Sequence, residues 1–150
     1  MEIDPRGPRF AALVTTVVLA VVLITGSGWL LAAQAVVFAV GAGFGLRYSL
    51  YGLVYRWLIR PRLGPPSELE AEAPPRFAQA VGLVFAAVGA AGYLAGATWL
   101  GVVATAAALI AAFLNGAFGY CLGCEMYLRI RRIWPGRQPL VPAGADSAEQ

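Results

Sequence analysis

The chain has no histidine and no lysine, and only two cysteines among its 150 residues. Without histidine there is no His-ligated haem, no His-based zinc centre, no His general base and no His-containing triad. Two cysteines cannot form a disulfide framework, although at C-x-x-C spacing they can form a redox pair or half of a metal site. Charge is scarce as well. Only 13% of residues are charged, where soluble globular domains carry about 25%. The sequence contains no phosphate-binding glycine loop, dinucleotide glycine motif or nucleophile elbow.

What charge there is falls in three patches, at residues 2–9, 47–76 and 125–149, leaving 10–46 and 77–124 entirely uncharged. A helical crossing of a bilayer takes about 20 apolar residues, so each uncharged stretch holds two. The predicted fold is an all-α membrane protein with four transmembrane helices in two tandem hairpins, each followed by an amphipathic interfacial helix. The segments are a cytoplasmic arm at 1–9, hairpin one at 10–46, an amphipathic helix at 47–63, a solvated loop at 64–75, hairpin two at 76–120, a C-x-x-C-bearing amphipathic helix at 121–134 and a disordered tail at 135–150. Gly26-Ser27-Gly28 and Gly96-Ala97-Thr98 are the hairpin turns, with Trp29 and Trp99 just after them as interfacial anchors. Arg6 and Arg9 precede an apolar run as in a signal peptide. That run has no small-x-small cleavage site and a second run follows at once, so a retained first helix is predicted.

The halves are alike. Pro8-Arg9-Phe10-Ala11 recurs as Pro75-Arg76-Phe77-Ala78, and Phe44-Gly45 as Phe118-Gly119. This predicts a tandem duplication of a helical hairpin, with the cysteines added to the second copy where the first has residues 47–50. In the first amphipathic segment Leu50, Leu53, Val54, Trp57 and Leu58 share one face, and Pro61 is predicted to end it. All eleven basic residues are arginines, and by the pattern of helices they share one side. The positive-inside rule makes that side cytoplasmic, with both termini there, in a multi-pass inner-membrane protein. Basic flanks of this kind meet anionic lipid, which makes the bilayer a partner and argues against nucleic acid. No ionisable group other than the cysteines lies in the predicted crossings, which counts against an ion-coupled transporter. Gln34, Gln79 and Asn115 within the crossings are of a kind that can line a substrate path, but interhelical hydrogen-bond glue is the expected role. The spacings Gly41-x-x-x-Gly45, Gly92-x-x-x-Gly96 and Gly119-x-x-x-Gly123 permit close helix contact.

Cys121-Leu122-Gly123-Cys124 is the chemical lead. If the fourth helix breaks near Gly119, Cys121 begins a new helix whose N-terminal dipole favours thiolate; if the helix continues, that benefit is lost. Projected as one helix, residues 121–134 place both cysteines on a polar face with Glu125, Arg131 and Arg132, away from Met126, Tyr127 and Ile130. Glu125, one turn away, would raise a thiol pKa. Four readings stay open: a redox pair, buried packing cysteines, a Cys₄ metal site shared across a dimer, and an acylated thiol.

The strings Pro5-Arg6-Gly7-Pro8-Arg9-Phe10, Arg60-Pro61-Arg62-Leu63-Gly64-Pro65-Pro66 and Ala112-Phe113-Leu114-Asn115, the last leading to Phe118-Gly119-Tyr120-Cys121-Leu122-Gly123-Cys124-Glu125, together resemble a bacterial membrane family. It is domain-of-unknown-function family 4395, common in actinobacteria, and the resemblance covers about residues 4–134. It implies a four-helix inner-membrane protein with the family's cysteine pair at Cys121 and Cys124, and thioredoxin-like or sulfur-transfer neighbours. The expected function is thiol–disulfide exchange by Cys121 and Cys124 with a thioredoxin-like partner, without a cofactor. Arg131 and Arg132 would dock an acidic partner, and Arg47, Arg56 and Arg60 would meet lipid or partner. The rivals are a non-catalytic membrane scaffold and the Cys₄ site across a dimer.

Overall fold

Both repeated helices admit a proline near their start. In the computed structural model, which describes residues 2–134, α1 (Arg6–Thr25) and α5 (Ala73–Leu94) carry Pro8 and Pro75 in their first turns. A missing N–H is harmless there, because first-turn donors have no partner inside the helix. Both helices start earlier than the charge pattern predicts. α2 (Gly28–Gly43) and α6 (Thr98–Phe118) follow their turns, and α7 (Leu122–Ile133) closes the described chain. The tail predicted at 135–150 lies outside the described residues. α1, α5 and α6 are long and apolar enough to cross a membrane, whereas α2 is a shorter apolar helix.

The segment between α2 and α5 departs from expectation. It runs as a 3₁₀ turn (Leu46–Tyr48), α3 (Leu50–Val54), a π-helical turn (Tyr55–Ile59) and α4 (Arg60–Leu63). Pro61 therefore does not end the helix. In a regular α-helix its ring would meet the Trp57 carbonyl; the π turn, in which Arg60 N–H donates to the Tyr55 carbonyl, widens the helix at that point. The loop at 64–75 is likewise not wholly solvated. Glu70 and Ala71 form β2, paired antiparallel with β1 (Glu2–Ile3), and Glu72 is buried with Oε1 accepting from Leu46 N–H at 3.1 Å.

α2 packs along α5, α1 along α6, and α5 along α6, while α1 and α2 touch only lightly despite their short connection. Leu19, Val22, Leu31, Phe38, Ala86, Ala90 and Ala108 form the core. Large apolar side chains also cover the outside, including Val17, Ile24, Val36, Val84 and Ile110. That is far more exposed apolar surface than a soluble monomer carries. Trp29 and Trp99 are exposed at the turns.

The contacts repeat between halves. Phe10 stacks against Tyr55 at 6.0 Å between ring centroids, and Phe77 against Tyr127 at 5.7 Å. The Arg76 guanidinium donates to the carbonyls of Ala42 and Gly43 at the end of α2, at 2.9–3.2 Å. Arg9, its counterpart, lies against Gly119 at the end of α6. Each arginine thus meets the carbonyl end of the opposite half's second helix, where free acceptors and the helix dipole favour a cation.

The Gly-x-x-x-Gly spacings are not paired contact faces. In each, one glycine packs (Gly41 on Gln79, Gly92 on the Gly101 backbone, Gly123 on Ala78) and the other turns the chain with positive φ (Gly45, Gly96, Gly119). A Cβ at Gly123 would stand 2.6 Å from Ala78 Cα, on α5. Gly123→Ala is therefore expected to cost about 1–3 kcal/mol through overpacking. Gly43→Ala, with open space around its Cβ, should change little. Thermal unfolding of both variants in detergent checks this, and equal midpoints would refute the close approach.

Candidate functional site

α6 ends because Gly119 adopts a left-handed conformation (φ 69°). Gly119 N–H donates to the Asn115 carbonyl at 3.0 Å and Tyr120 N–H to the Leu114 carbonyl at 3.2 Å, a glycine-based helix stop. Of the two alternatives for the fourth helix, the break is the one found. Cys121 is then the N-cap of α7: its backbone is extended and its Sγ accepts from Cys124 N–H at 3.3 Å. Cys121 and Cys124 form a disulfide with Cα atoms 5.2 Å apart, within the usual range. Both are half-buried.

The pair does not lie on the polar face that the helical projection predicts. Cys121 is outside the helical register, and α7 lies on α5 with Gly123 against Ala78. That orientation turns both cysteines onto the wall of a cavity of about 350 Å³, which they share with Met126. The cavity runs under the first turn of α7 and between α1, α5 and α6. Arg9, Gln79 and Asn115 line it, and Thr15, Phe38 and Ala108 line it deeper in the helices. Its volume falls within the roughly 300–1,000 Å³ of small-molecule sites.

The cysteines occupy positions that differ slightly from expectation. Ser49 is the N-cap of α3, and Tyr55 and Tyr127 are matched by their stacking on Phe10 and Phe77. The register therefore sets Cys121 opposite Ser49 and Cys124 opposite Gly52, a shift of two residues that leaves only Cys121 within 47–50.

The predicted docking arginines separate into two groups. Arg47, Arg56 and Arg60 line a second cavity of about 260 Å³ together with Glu2, Asp4 and Glu72. There Tyr55 donates to Asp4 Oδ2 at 3.0 Å. Burial, and then the neighbouring Asp4 carboxylate, push the Tyr55 phenol above its ordinary pKa. Arg47 also stacks on the Tyr48 ring and donates to its hydroxyl at 2.8 Å. Arg131 and Arg132 are exposed on α7, with Arg131 over the Tyr127 ring at 5.7 Å. Glu125 faces Arg129 at 4.0 Å. Of the three amides, Gln34 behaves as interhelical glue, accepting from Tyr51 OH at 2.6 Å. Gln79 and Asn115 line the main cavity instead. Among the described residues no cluster of three or more Cys, Asp or Glu could hold a metal ion. The cavity itself, and Arg9 beside it, escaped the sequence reading. Ala107-Ala108 and Ala111-Ala112, one turn apart on α6, were the available signal.

A helical protein with three helices fit to cross a membrane, and a disulfide on the wall of a cavity among them, is the class these features define. The chain belongs to the family described as Domain of unknown function (DUF4395), which matches residues 3–132. No curated protein and no solved structure matches it.

The cap gives a separable test of the two roles of Cys121. Serine is a strong N-cap, so Cys121→Ser is expected to lose the disulfide yet keep the α7 cap, whereas Cys121→Ala should cost a further 0.5–2 kcal/mol or so. Unfolding midpoints of the two variants under reducing conditions check the difference.

Proposed function

We propose that the protein is a multi-pass inner-membrane thiol–disulfide exchange component, with Cys121 and Cys124 as its redox pair. Four crossings, α1, α2, α5 and α6, would place both termini, α3, α4 and α7 on the cytoplasmic side. α2 alone spans about 24 Å at 1.5 Å per residue, short of the roughly 30 Å hydrocarbon core. Local thinning of the bilayer, or the apolar residues that follow α2, would make up the difference. The exposed Leu50, Trp57 and Leu58 suit the headgroup boundary, and Arg47, Arg56 and Arg60 suit anionic lipid.

The observation that carries the proposal is the position of Cys121 at the N-terminus of α7, with its sulfur accepting a backbone N–H. A helix N-terminus stabilises thiolate. In the reduced protein the Cys121 thiolate attacks one sulfur of a partner disulfide, and the other partner sulfur leaves as thiolate. The Cys124 thiolate then attacks Cys121 Sγ, which closes the Cys121–Cys124 bond and releases the partner as a dithiol. Run in reverse, the partner's thiolate attacks Cys121 and Cys124 leaves. The mixed disulfide forms at Cys121 in both directions. The partner is a thioredoxin-like protein with an acidic docking surface that meets Arg131 and Arg132.

Maleimide gel-shift on acid-quenched cells tests the proposal. The pair is expected to be partly oxidised and to respond to oxidant or to loss of thioredoxin. Thiols that stay reduced and unresponsive would overturn it in favour of a scaffold. Cys124→Ser should accumulate a mixed disulfide with the partner, and Cys121→Ser should not, as non-reducing gels would show.

A further inference from the structure

We propose that the cavity beside Cys121 and Cys124 binds a quinone, the two-electron oxidant that returns the dithiol to the disulfide. This rests on the redox reading of the pair and adds its second substrate.

The first half has its own cavity under the amphipathic segment, lined by Ser49 and Gly52, the counterparts of Cys121 and Cys124; the second half's cavity differs in reaching between the helices. Phe44-Gly45 corresponds to Phe118-Gly119, which sets Gln34, Val37 and Phe38 of α2 opposite Ala108, Ala111 and Ala112 of α6. The packing supports that register. The Phe38 ring packs against Gly82, where an added Cβ would stand 3.1 Å from it; the matching positions are Ala112 and Thr15, and both line the cavity. Tyr51 corresponds to Gly123 by the same spacing that matches Tyr55 to Tyr127. In the first half the Tyr51 hydroxyl donates to Gln34 Oε1, so that side chain bridges the amphipathic segment to α2. In the second half glycine and alanine stand at both positions, and the cavity extends between the helices as far as Thr15 and Ala108. Open volume forfeits dispersion contacts, so it is a cost to the fold. It occurs in the same half as the cysteines, with both of them on its wall.

The chemistry narrows the occupant. A dithiol gives up two electrons and two protons, so the ligand must accept both. Its cavity lies among helices apolar enough for lipid, with walls of alanine and phenylalanine that suit a flat ring. Arg9, Gln79 and Asn115 supply N–H donors for carbonyl oxygens. Nicotinamide dinucleotides carry a pyrophosphate that calls for a glycine-rich loop, and the sequence has no such motif. A quinone is apolar, membrane-soluble and has two carbonyl acceptors. In the step, the two S–H bonds break and the Cys121–Cys124 bond forms. Two electrons and two protons pass to the ring, whose carbonyl oxygens become hydroxyls.

The test uses the purified full-length chain in detergent, reduced and then freed of reductant. Decyl-ubiquinone is the probe, because its fully substituted ring cannot form a thioether. Loss of quinone absorbance and loss of protein thiols are followed together, and two thiols per quinone are expected to disappear. Ala112→Phe places in the cavity the residue found at position 38, and should slow quinone reduction about tenfold or more. Asn115→Leu removes a donor instead and should weaken the quinone dependence if Ala112→Phe does not fold. Both variants should still exchange disulfides with a thioredoxin-like C-x-x-C protein. If quinone leaves the wild-type dithiol reduced while that exchange proceeds, the quinone site is wrong and the relay stands. If neither reaction occurs, both fall. If the wild type and both variants react equally fast with quinone, the reaction does not use the cavity and the proposal is overturned.

Discussion

The close approach of Gly123 to Ala78 governs the whole candidate site. α7 has no buried side chain of its own, so a broad apolar face cannot be what orients it. It is positioned by backbone-level contact with α5 and by Tyr127 on Phe77. With Gly123 inward, Cys124 beside it and Cys121 at the N-cap both stand on the cavity wall. The Gly119 stop matters as much. Had α6 continued, residue 121 would lie on the flank of a long helix near its negative end. The break turns the same residue into an N-cap, at the positive end of a new helix. A C-x-x-C pair could have been written into many helices. Here one small residue and one left-handed turn give it an inward aim and a favourable dipole.

The likeness of the two halves explains how such a thin framework holds. Arg9 and Arg76 each lie at the start of one half and meet the end of the other half's second helix. The strong helix contacts also run between halves, α1 with α6 and α2 with α5, and not chiefly within the first hairpin. The halves therefore cannot separate without breaking both their core and their arginine contacts. Such a frame tolerates divergence in one amphipathic segment. The first copy could absorb a π turn around Pro61, and the second could acquire cysteines, while the stacked Phe–Tyr pair survives in each.

The apolar helices were legible because charge is excluded from them over stretches no soluble core would sustain; the break at Gly119 stayed open, because glycine is tolerated inside a helix as well as at its end. The finer placement was not legible. Helix starts shifted because proline is compatible with a first turn and marks no boundary by itself. The face of the cysteines was misjudged because a helical projection assumes residue 121 is helical, and an N-cap is not. Glu72 looked like one of three loop carboxylates, yet it is buried by a single hydrogen bond to Leu46, and no periodicity reports a contact 26 residues away. The cavity was hidden for a similar reason. Alanines on a helix look like ordinary packing until the matching positions are seen to carry glutamine, valine and phenylalanine.

The two thiols of the pair are not equivalent, and the geometry decides between them. Cys121 Sγ receives the Cys124 N–H at 3.3 Å, so negative charge on that sulfur is met by a backbone donor and by the dipole of α7. Cys124 lies inside the first turn and supplies that donor. The Glu125 carboxylate faces Arg129 across 4.0 Å, an exposed pair worth about 0–1 kcal/mol. On the proposed exchange reading, the difference between the two sulfurs makes Cys121 the nucleophile and the site of the mixed disulfide, with Cys124 the group that closes the ring.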